Sequence, residues 1–167
     1  MKHTQRIPVL VEHKMIMDKK LFRIALYQPA IPQNVGASIR LCACLGLGLD
    51  IIEPCGFPLN DKKIKQAGMD YVGMVNYERH SSWQSFRDNN KEARIILMTT
   101  KASIPYTDFA FQPGDILMAG RESSGVPDEV HESVDGRVVI PMYGEARSLN
   151  IVNATAMIAG EALRQIG

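Results

Sequence analysis

Three short segments of the sequence concentrate the residue types that binding and catalytic sites use. They are residues 29–40, 120–127 and 140–153. Their polar side chains are the amides of Asn34, Asn150 and Asn153, the carboxylate of Glu122 and the guanidinium groups of Arg40, Arg121 and Arg147. Their glycines leave backbone N–H and C=O groups accessible to a ligand. This inventory suits a neutral ligand rich in hydrogen-bonding groups, such as an adenosine, together with an anionic backbone.

Three common enzyme classes lack their signatures in these segments. Gly120 and Gly125 have the spacing of a P-loop, but Val126 and Pro127 stand where Lys and Ser/Thr would hold phosphate and magnesium. No G-x-G-x-x-G follows the first predicted strand, as a Rossmann dinucleotide site would require. Glu122 occupies the position that the G-x-S-x-G motif of serine hydrolases reserves for serine. The sequence therefore does not support NTP hydrolysis, dinucleotide binding or serine hydrolysis.

The cysteines and histidines do not follow a metal-ligand spacing. Cys42 and Cys44 lie two positions apart on a predicted helix, where they point about 200° away from each other. The histidines are scattered at positions 3, 13, 80 and 131. We therefore expect no metal site. We expect Cys42, Cys44 and Cys55 to be small buried hydrophobic residues in a reducing compartment.

The elements that must position the three segments alternate between strand and helix. Strands are predicted at residues 21–27, 49–53, 71–77, 94–99, 115–119 and 137–140. Helices are predicted from an N-cap at Asn34 to about Gly46, and at residues 60–67, 82–89 and 148–166. This alternation predicts an α/β fold with a parallel sheet flanked by helices. Because such sheets bind ligands beyond the carboxyl ends of their strands, the loops 27–36, 98–106, 120–127 and 140–149 are the candidate site.

The last predicted helix is apolar on more than one side. One stripe has the spacing of a single helix face, and it consists of Leu149, Val152, Ala156, Ala159, Leu163 and Ile166. A second stripe contains Ile151, Ala154, Ile158 and Ala162. Burial in the core alone would explain both stripes. We favour core packing on one face and a homodimer contact on the other.

Length and charge suggest one domain with a short basic extension. The chain has 167 residues, of which 46% are hydrophobic, so residues 21–167 are expected to form one domain. Residues 1–23 carry six basic and two acidic residues, whereas the rest carries a net charge of −3. We expect residues 1–20 to be a flexible basic extension, and no separate RNA-binding domain. With neither a signal peptide nor a transmembrane segment in the sequence, we expect a cytoplasmic protein.

Taken together, the three segments resemble the motifs of a known enzyme family. They read Pro32-x-Asn34-x-Gly36-x-x-x-Arg40, then Gly120-Arg121-Glu122-Ser123-Ser124-Gly125-Val126-Pro127, then Ile140-Pro141-Met142 with Arg147-Ser148-Leu149-Asn150-x-x-Asn153-Ala154. In order and interval they resemble the SpoU branch of the SPOUT RNA methyltransferases. The stretches at 51–57, 67–71 and 99–101 resemble its TrmL-type subgroup, which 2′-O-methylates the wobble nucleotide, cytidine or uridine, of certain tRNAs. The resemblance covers about residues 22–166.

The resemblance implies properties that periodicity does not show. It implies a deep C-terminal trefoil knot, which general rules of chain topology would argue against. It implies S-adenosyl-L-methionine as the cofactor, held by Met98, Gly120, Ile140, Met142, Ser148 and Leu149. It also implies a homodimer with the site near the subunit interface, which agrees with the apolar last helix. A sulfonium donor already carries a good leaving group, so the reaction requires no metal.

The resemblance also implies roles for individual residues. Arg40 is implicated in activating the ribose hydroxyl, but a guanidinium with a pKa above about 12 is a poor proton acceptor. We therefore interpret Arg40 as a group that stabilises developing alkoxide charge or holds the adjacent phosphate. Glu122, Asn34 and Asn150 would orient it. The substrate RNA would be contacted by Arg40, Lys101, Arg121, Arg147 and Asn153, and by the lysines at positions 62, 63 and 65.

Two other functions remain open at the level of the sequence. The enzyme could methylate another site in tRNA or ribosomal RNA, or the chain could be a non-catalytic RNA-binding protein of the same fold. The presence of Arg40, Glu122, Ser148 and Asn150 favours an enzyme over a binding protein. Among RNA substrates, the resemblance favours the wobble nucleotide of tRNA.

Overall fold

A six-stranded parallel sheet forms the centre of the protein. The computed structural model describes residues 21–167, so the prediction for residues 1–20 lies outside the described residues. The strands are β1 Arg23–Tyr27, β2 Gly48–Ile52, β3 Tyr77–His80, β4 Ile95–Met98, β5 Ile116–Ala119 and β6 Gly136–Val138. Their order across the sheet is β3-β2-β1-β5-β4-β6, and every pair is parallel. This confirms the predicted α/β fold.

Helices cover both faces of the sheet. They are α1 Pro32–Leu45, α2 Asp61–Gly68, α3 Trp83–Asn89, α4 Asp128–Ser133 and α5 Ile151–Ile166, with short 3-10 helices at Met69–Met74 and Tyr106–Asp108. Alternate residues of β1 enter two separate cores: Ile24 and Leu26 pack on the side of α1 and α5, whereas Ala25 packs on the side of α3 and α4. Burial on both faces explains why β4 and β5 are continuous apolar runs. Within residues 21–167, no helix has the length and apolar character needed to span a bilayer.

Helix α1 begins earlier than predicted, and this changes the role of Asn34. The N-cap is Ile31 rather than Asn34, and Pro32 occupies the first helical position. Proline suits that position because its fixed φ is helical and it has no N–H to satisfy. The buried Asn34 side chain is thereby free to hydrogen-bond outside its own helix.

The predicted strand at 71–77 is wrong over most of its length. Residues Met69–Met74 form a 3-10 helix that packs against α1 and α2, and β3 begins only at Tyr77. Tyr71 and Val72 both contact the core although they are adjacent in sequence, which a strand with period two would not allow. In this segment Met69 and Met74 are 71% and 68% exposed.

Two smaller expectations also need correction. The last helix begins at Ile151 and is capped by Asn150, so Ser148 lies in the preceding loop rather than in the helix. Cys42 is buried as predicted, but Cys55 is only half-buried and Cys44 is exposed.

The predicted helices at 60–67 and 82–89 are confirmed to within one residue, with Asn60 and Ser82 as their N-caps.

Gly36 is required where α1 crosses α2, and this leads to a first prediction. A Cβ atom at position 36 would clash with the carbonyl oxygen of Ala67 and would lie 2.8 Å from its carbonyl carbon. Backbone atoms cannot move aside as a flexible side chain can, so Gly36→Ala should destabilise the fold by about 1–3 kcal/mol. Urea unfolding measures this loss. Gly73→Ala is the matched control, because a Cβ at Gly73 meets nothing within 4 Å.

Candidate functional site

A cavity lies at the carboxyl ends of strands β4, β5 and β6. Its volume is about 360 Å³, and its wall is formed by the loops after these strands and by one side of α5. All of the residues predicted to hold a cofactor lie in the wall: Met98, Gly120, Ile140, Met142, Ser148 and Leu149. The fold therefore brings together side chains and backbone groups that are up to about fifty positions apart in the sequence.

The loop after β5 forms one wall of the cavity as a tight hairpin. The Arg121 N–H donates to the Gly125 carbonyl at 3.0 Å, and the Gly125 N–H donates back to the Arg121 carbonyl at 2.8 Å. Gly125 adopts a φ of +66°, in the left-handed region that favours glycine. A Cβ at Gly120 would lie 2.8 Å from Gly125 Cα. Glycine is thus required where the two arms of the hairpin meet.

Glu122 ties this hairpin to the loop after β1. Its Oε2 accepts from the Ala30 N–H at 2.8 Å, and its Oε1 accepts from the Ile31 N–H and the Asn34 side-chain amide, each at 3.2 Å. Hydrogen bonds to an ionised carboxylate are stronger than those between neutral groups. With its oxygens engaged in this way, Glu122 positions two loops relative to each other.

Asn34 and Asn150 extend the connection to the third segment. The Asn150 side-chain amide donates to Asn34 Oδ1 at 3.2 Å, and Asn150 Oδ1 accepts from the Val152 N–H at 2.8 Å. One continuous chain of hydrogen bonds therefore runs from Glu122 through Asn34 to the beginning of α5. Three of the four residues predicted to be catalytic form this chain, although only Glu122 is also part of the cavity wall.

Arg40, the fourth predicted catalytic residue, does not belong to the cavity wall of its own chain. It lies on the exposed side of α1, with its guanidinium carbon 5.2 Å from the centre of the Tyr71 ring. No residue from 21 to 167 forms an ion pair with it. Its charge is therefore available to an anionic ligand or to a second chain.

The predicted RNA contacts divide into two groups. Lys101, Arg121 and Arg147 belong to the cavity wall, which gives the site a cationic rim. Asn153 lies outside the wall on the exposed side of α5, where its N–H donates to Asn150 Oδ1 at 3.4 Å. Among the charged wall residues, the only carboxylate is Glu122, which is already engaged by three N–H donors. The rim therefore favours an anionic substrate.

Cys55 lies beside the site, but its chemistry is not that of a nucleophile. Burial raises the pKa of its thiol to about 11, and the charge of Glu53 acts in the same direction. The thiolate is the reactive form of cysteine, so this side chain stays protonated and unreactive near neutral pH. Its neighbour Gly56 donates its N–H to the Pro29 carbonyl at 2.9 Å, which braces the loop after β1.

A group of polar side chains around the buried Asp50 and His80 lies outside the cavity. Asp50 accepts from Arg23 Nε at 2.8 Å and lies 2.8 Å from His80 Nε2. Asp50, Glu78 and His80 are close enough together to be considered as metal ligands. Because the Asp50 carboxylate is already paired with Arg23, we interpret the group as a structural ion pair at the β1–β2–β3 side of the sheet.

Some cavity residues were not assigned a role from the sequence. They are mainly apolar wall residues together with Thr99, Thr100, Ser123, Ser124 and His131. Thr99 and Thr100 lie in loop 98–106, and Ser123 and Ser124 lie in loop 120–127. Both loops were predicted to form the site, but no role was predicted for these four side chains. His131 belongs to α4 and no sequence pattern marks it, because the fold alone brings that helix against the cavity.

Comparison with known proteins identifies the family of this chain. The profile of the SpoU rRNA Methylase family matches residues 21–160. A protein from Beijerinckia indica named tRNA (cytidine(34)-2′-O)-methyltransferase is 57% identical over 146 residues, covering 86% of this chain and 91% of that protein. A protein of the same name from Escherichia coli K12 is 38% identical over 149 residues, covering 88% and 95%.

Solved structures give the same assignment. A structure from work on the 2-OH methylation of C/U34 on tRNA superimposes with a TM-score of 0.81 at 38% identity and covers 87% of this chain and 96% of that one. A putative RNA methyltransferase from Bacillus anthracis gives a TM-score of 0.79 at 36% identity, covering 86% and 93%. With its family profile matched over most of its length, the chain belongs to the SpoU rRNA methylase family.

Proposed function

We propose that this protein is an S-adenosyl-L-methionine-dependent methyltransferase that 2′-O-methylates the ribose of the wobble nucleotide of tRNA, cytidine or uridine at position 34. The observation that carries the proposal is the cavity whose wall contains all the predicted cofactor residues and whose rim is cationic. The two relatives described above, which are 57% and 38% identical to this chain over 91% and 95% of their own length, are named for this reaction.

The donor set of the cavity fits the proposed cofactor. Backbone groups of Gly120 and Ile140 would hold the polar edge of an adenosine, while the Met142 and Leu149 side chains would contact its apolar surface. The Ser148 hydroxyl is available for the amino-acid part or the ribose. When bound, S-adenosyl-L-methionine supplies a methyl group on a sulfonium, whose C–S bond breaks with its electron pair retained by sulfur as the ribose oxygen forms the new C–O bond.

The residues of the chain supply positioning and charge in this mechanism. The ribose hydroxyl loses its proton to solvent as its oxygen attacks, and Arg40 stabilises the negative charge that develops there. Glu122, Asn34 and Asn150 hold the loops so that the attacking oxygen approaches in line. Lys101, Arg121 and Arg147 bind the RNA backbone around the cavity.

A homodimer would bring Arg40 to the site. Within one chain Arg40 lies outside the cavity wall, so the arginine that serves a given cavity would come from the partner subunit. The exposed apolar residues near α1, the third segment and α5 support such an interface: Ile31, Leu149 and Met157 are 42%, 38% and 44% exposed. This proposal also accounts for the apolar character of α5 beyond what the core uses.

We further propose that the C-terminal part of the chain forms the trefoil knot. Two features support it. Pro105, in the segment between β4 and β5, forms a parallel bridge with Val139 on the outer side of β6. After β6, the chain returns to pack α5 against α1 and β5.

The surface of α2 provides a prediction about tRNA binding. Lys62 and Lys63 are exposed and lie on the same side of the sheet as Arg40. Reversing both charges in Lys62→Glu/Lys63→Glu should weaken tRNA binding by about tenfold and reduce its salt dependence by about one unit of slope per lysine. Filter binding at several salt concentrations measures both effects. Lys91→Glu, on the loop after α3, is the matched control, and an equal loss there would contradict a specific role of α2.

Methylation of purified tRNA tests the proposed function directly. The protein is incubated with a labelled methyl donor and total tRNA, and the modified nucleotide is mapped. Label on the 2′-oxygen of nucleotide 34 is the expected result. Label elsewhere in tRNA or in ribosomal RNA would overturn the wobble assignment, and RNA binding without label would favour the non-catalytic alternative.

A further inference from the structure

We infer that Tyr71 is a positioning residue that holds the guanidinium group of Arg40 ready for the ribose hydroxyl of the RNA, an inference that rests on the proposed function. The guanidinium carbon lies over the Tyr71 ring, 5.2 Å from its centre. At this distance the cation is attracted to the electron-rich face of the ring. Arg40 is exposed and no carboxylate within residues 21–167 pairs with it, so the Tyr71 ring is the group that limits where its charge can point.

An aromatic ring suits this role better than a carboxylate would. A carboxylate partner would occupy guanidinium N–H donors and offset the positive charge. Stacking on a ring face instead leaves the donors at the edge of the guanidinium free for an anionic oxygen. Asp70 is adjacent to Tyr71 in the sequence, yet it forms no ion pair with Arg40. The contact with Tyr71 therefore orders the Arg40 side chain before the RNA binds and preserves the charge that the proposed mechanism uses.

A close approach of the main chain at Gly68 places Tyr71 beside Arg40. A Cβ atom at position 68 would lie 3.0 Å from both Cδ1 and Cγ2 of Ile39. Because Ile39 directly precedes Arg40 in α1, this approach brings the 3-10 helix Met69–Met74 against the turn of α1 that carries Arg40. The half-buried Tyr71 side chain also packs on the hydrophobic core. The core therefore restrains the ring that Arg40 contacts.

The 3-10 helix holds this position against its local preferences. Its sequence predicts a strand from residue 71, and Met69 adopts a φ of +49°, in the left-handed region that residues other than glycine rarely occupy. Such conformations persist where the surrounding structure imposes them, and they are concentrated at functional sites. This conflict between local preference and fold is expected of a segment whose placement serves the site.

Single-turnover methylation of tRNA tests the inference with two variants of Tyr71. Tyr71→Leu removes the ring but keeps an apolar side chain. It should lower the rate at saturating tRNA and S-adenosyl-L-methionine by about two- to fivefold, the range for one cation–π contact at an exposed site. Tyr71→Phe keeps the aromatic face and should retain a rate near that of wild type. Both variants should bind S-adenosyl-L-homocysteine with wild-type affinity.

Tyr77→Leu is the matched control. Tyr77 is another half-buried tyrosine that packs on the same core, and in the described part of the chain no guanidinium lies over its ring. Its replacement should leave the rate of methyl transfer unchanged when both variants are measured below their unfolding transitions.

A double-mutant cycle separates positioning of Arg40 from general support of the fold. In the Arg40→Ala background, Tyr71→Leu should cause no further loss of rate, because the group that the ring positions is already gone. A role in stability alone would lower the rate by the same factor in both backgrounds. Equal losses in the two backgrounds, an unchanged rate in Tyr71→Leu, or an equal loss in Tyr71→Phe would overturn the inference. A wild-type protein that does not methylate tRNA would overturn the proposed function, and this inference with it.

Discussion

Replacing Arg40 by alanine should reduce methyl transfer to tRNA by about 10²- to 10³-fold, the usual loss when one group that stabilises a developing oxyanion is removed. The affinity for S-adenosyl-L-homocysteine should stay nearly unchanged, because the proposed role of Arg40 is toward the ribose oxygen and the adjacent phosphate of the RNA and not toward the cofactor. Single-turnover methylation and calorimetry measure the two quantities. Arg40→Lys should recover only part of the rate, since an ammonium cannot reproduce the planar donor geometry of a guanidinium.

A matched control distinguishes the charge of Arg40 from its packing on Tyr71. Arg87 makes the same kind of contact, with its guanidinium carbon 5.7 Å from the centre of the Trp83 ring. Arg87→Ala should leave methyl transfer near the wild-type rate. An equal loss of cofactor affinity and rate in Arg40→Ala would mean that Arg40 stabilises the fold instead.

Mixed dimers test the origin of the arginine. Arg40→Ala and Gly120→Ala place the defect in different parts of the site, because Gly120 shapes the cavity and Arg40 lies outside it. Two inactive variants that regain activity when mixed would show that one subunit supplies Arg40 to the cavity of the other. Mixtures that stay inactive, although the chains exchange, would contradict the shared site.

The sequence predicted the fold well where a local signal and the tertiary structure agree. The strands β4 and β5 are continuous apolar runs because both their faces are buried, and β1 and β2 are mainly apolar apart from Arg23 and the buried Asp50. The predicted bounds of these four strands are correct to within two residues. It failed at residues 71–77, where β-branched and aromatic residues suggest a strand but packing on α1 and α2 imposes a 3-10 helix. Here tertiary contacts override local propensity.

In the candidate site, too, local sequence signals predicted some features, whereas others depend on tertiary contacts. Chemical type identified Asn34, Glu122 and Asn150, but their connection into one chain of hydrogen bonds depends on contacts between residues 88 and 116 positions apart. Proline at position 32 begins α1 early enough to release Asn34 from capping, a detail that the capping preference of asparagine conceals. His131 had no signal at all, because a lone histidine on a short helix acquires its surroundings only in the folded chain.

Glu122→Gln should lower both the stability of the fold and the rate of methyl transfer, although glutamine has almost the same shape as glutamate. The carboxylate accepts three hydrogen bonds, one at Oε2 from Ala30 and two at Oε1 from Ile31 and Asn34. A glutamine has one acceptor oxygen, so its amide group must face at least one of these N–H donors. Loss of a hydrogen bond to a charged group leads us to expect a decrease of about 1.5–3 kcal/mol in the free energy of unfolding.

Methyl transfer should fall further than stability alone explains. Because Glu122 fixes the loop after β1 against the hairpin after β5, its loss should shift these two loops relative to each other. A displacement of about 1 Å in a reacting group can cost about 10²-fold in rate. Urea unfolding and kcat/KM, measured below the unfolding transition, separate the two effects. Glu92→Gln, an exposed change after α3, is the control. If Glu122→Gln loses stability but keeps its rate, the hydrogen-bonded chain supports the fold and does not position the reaction.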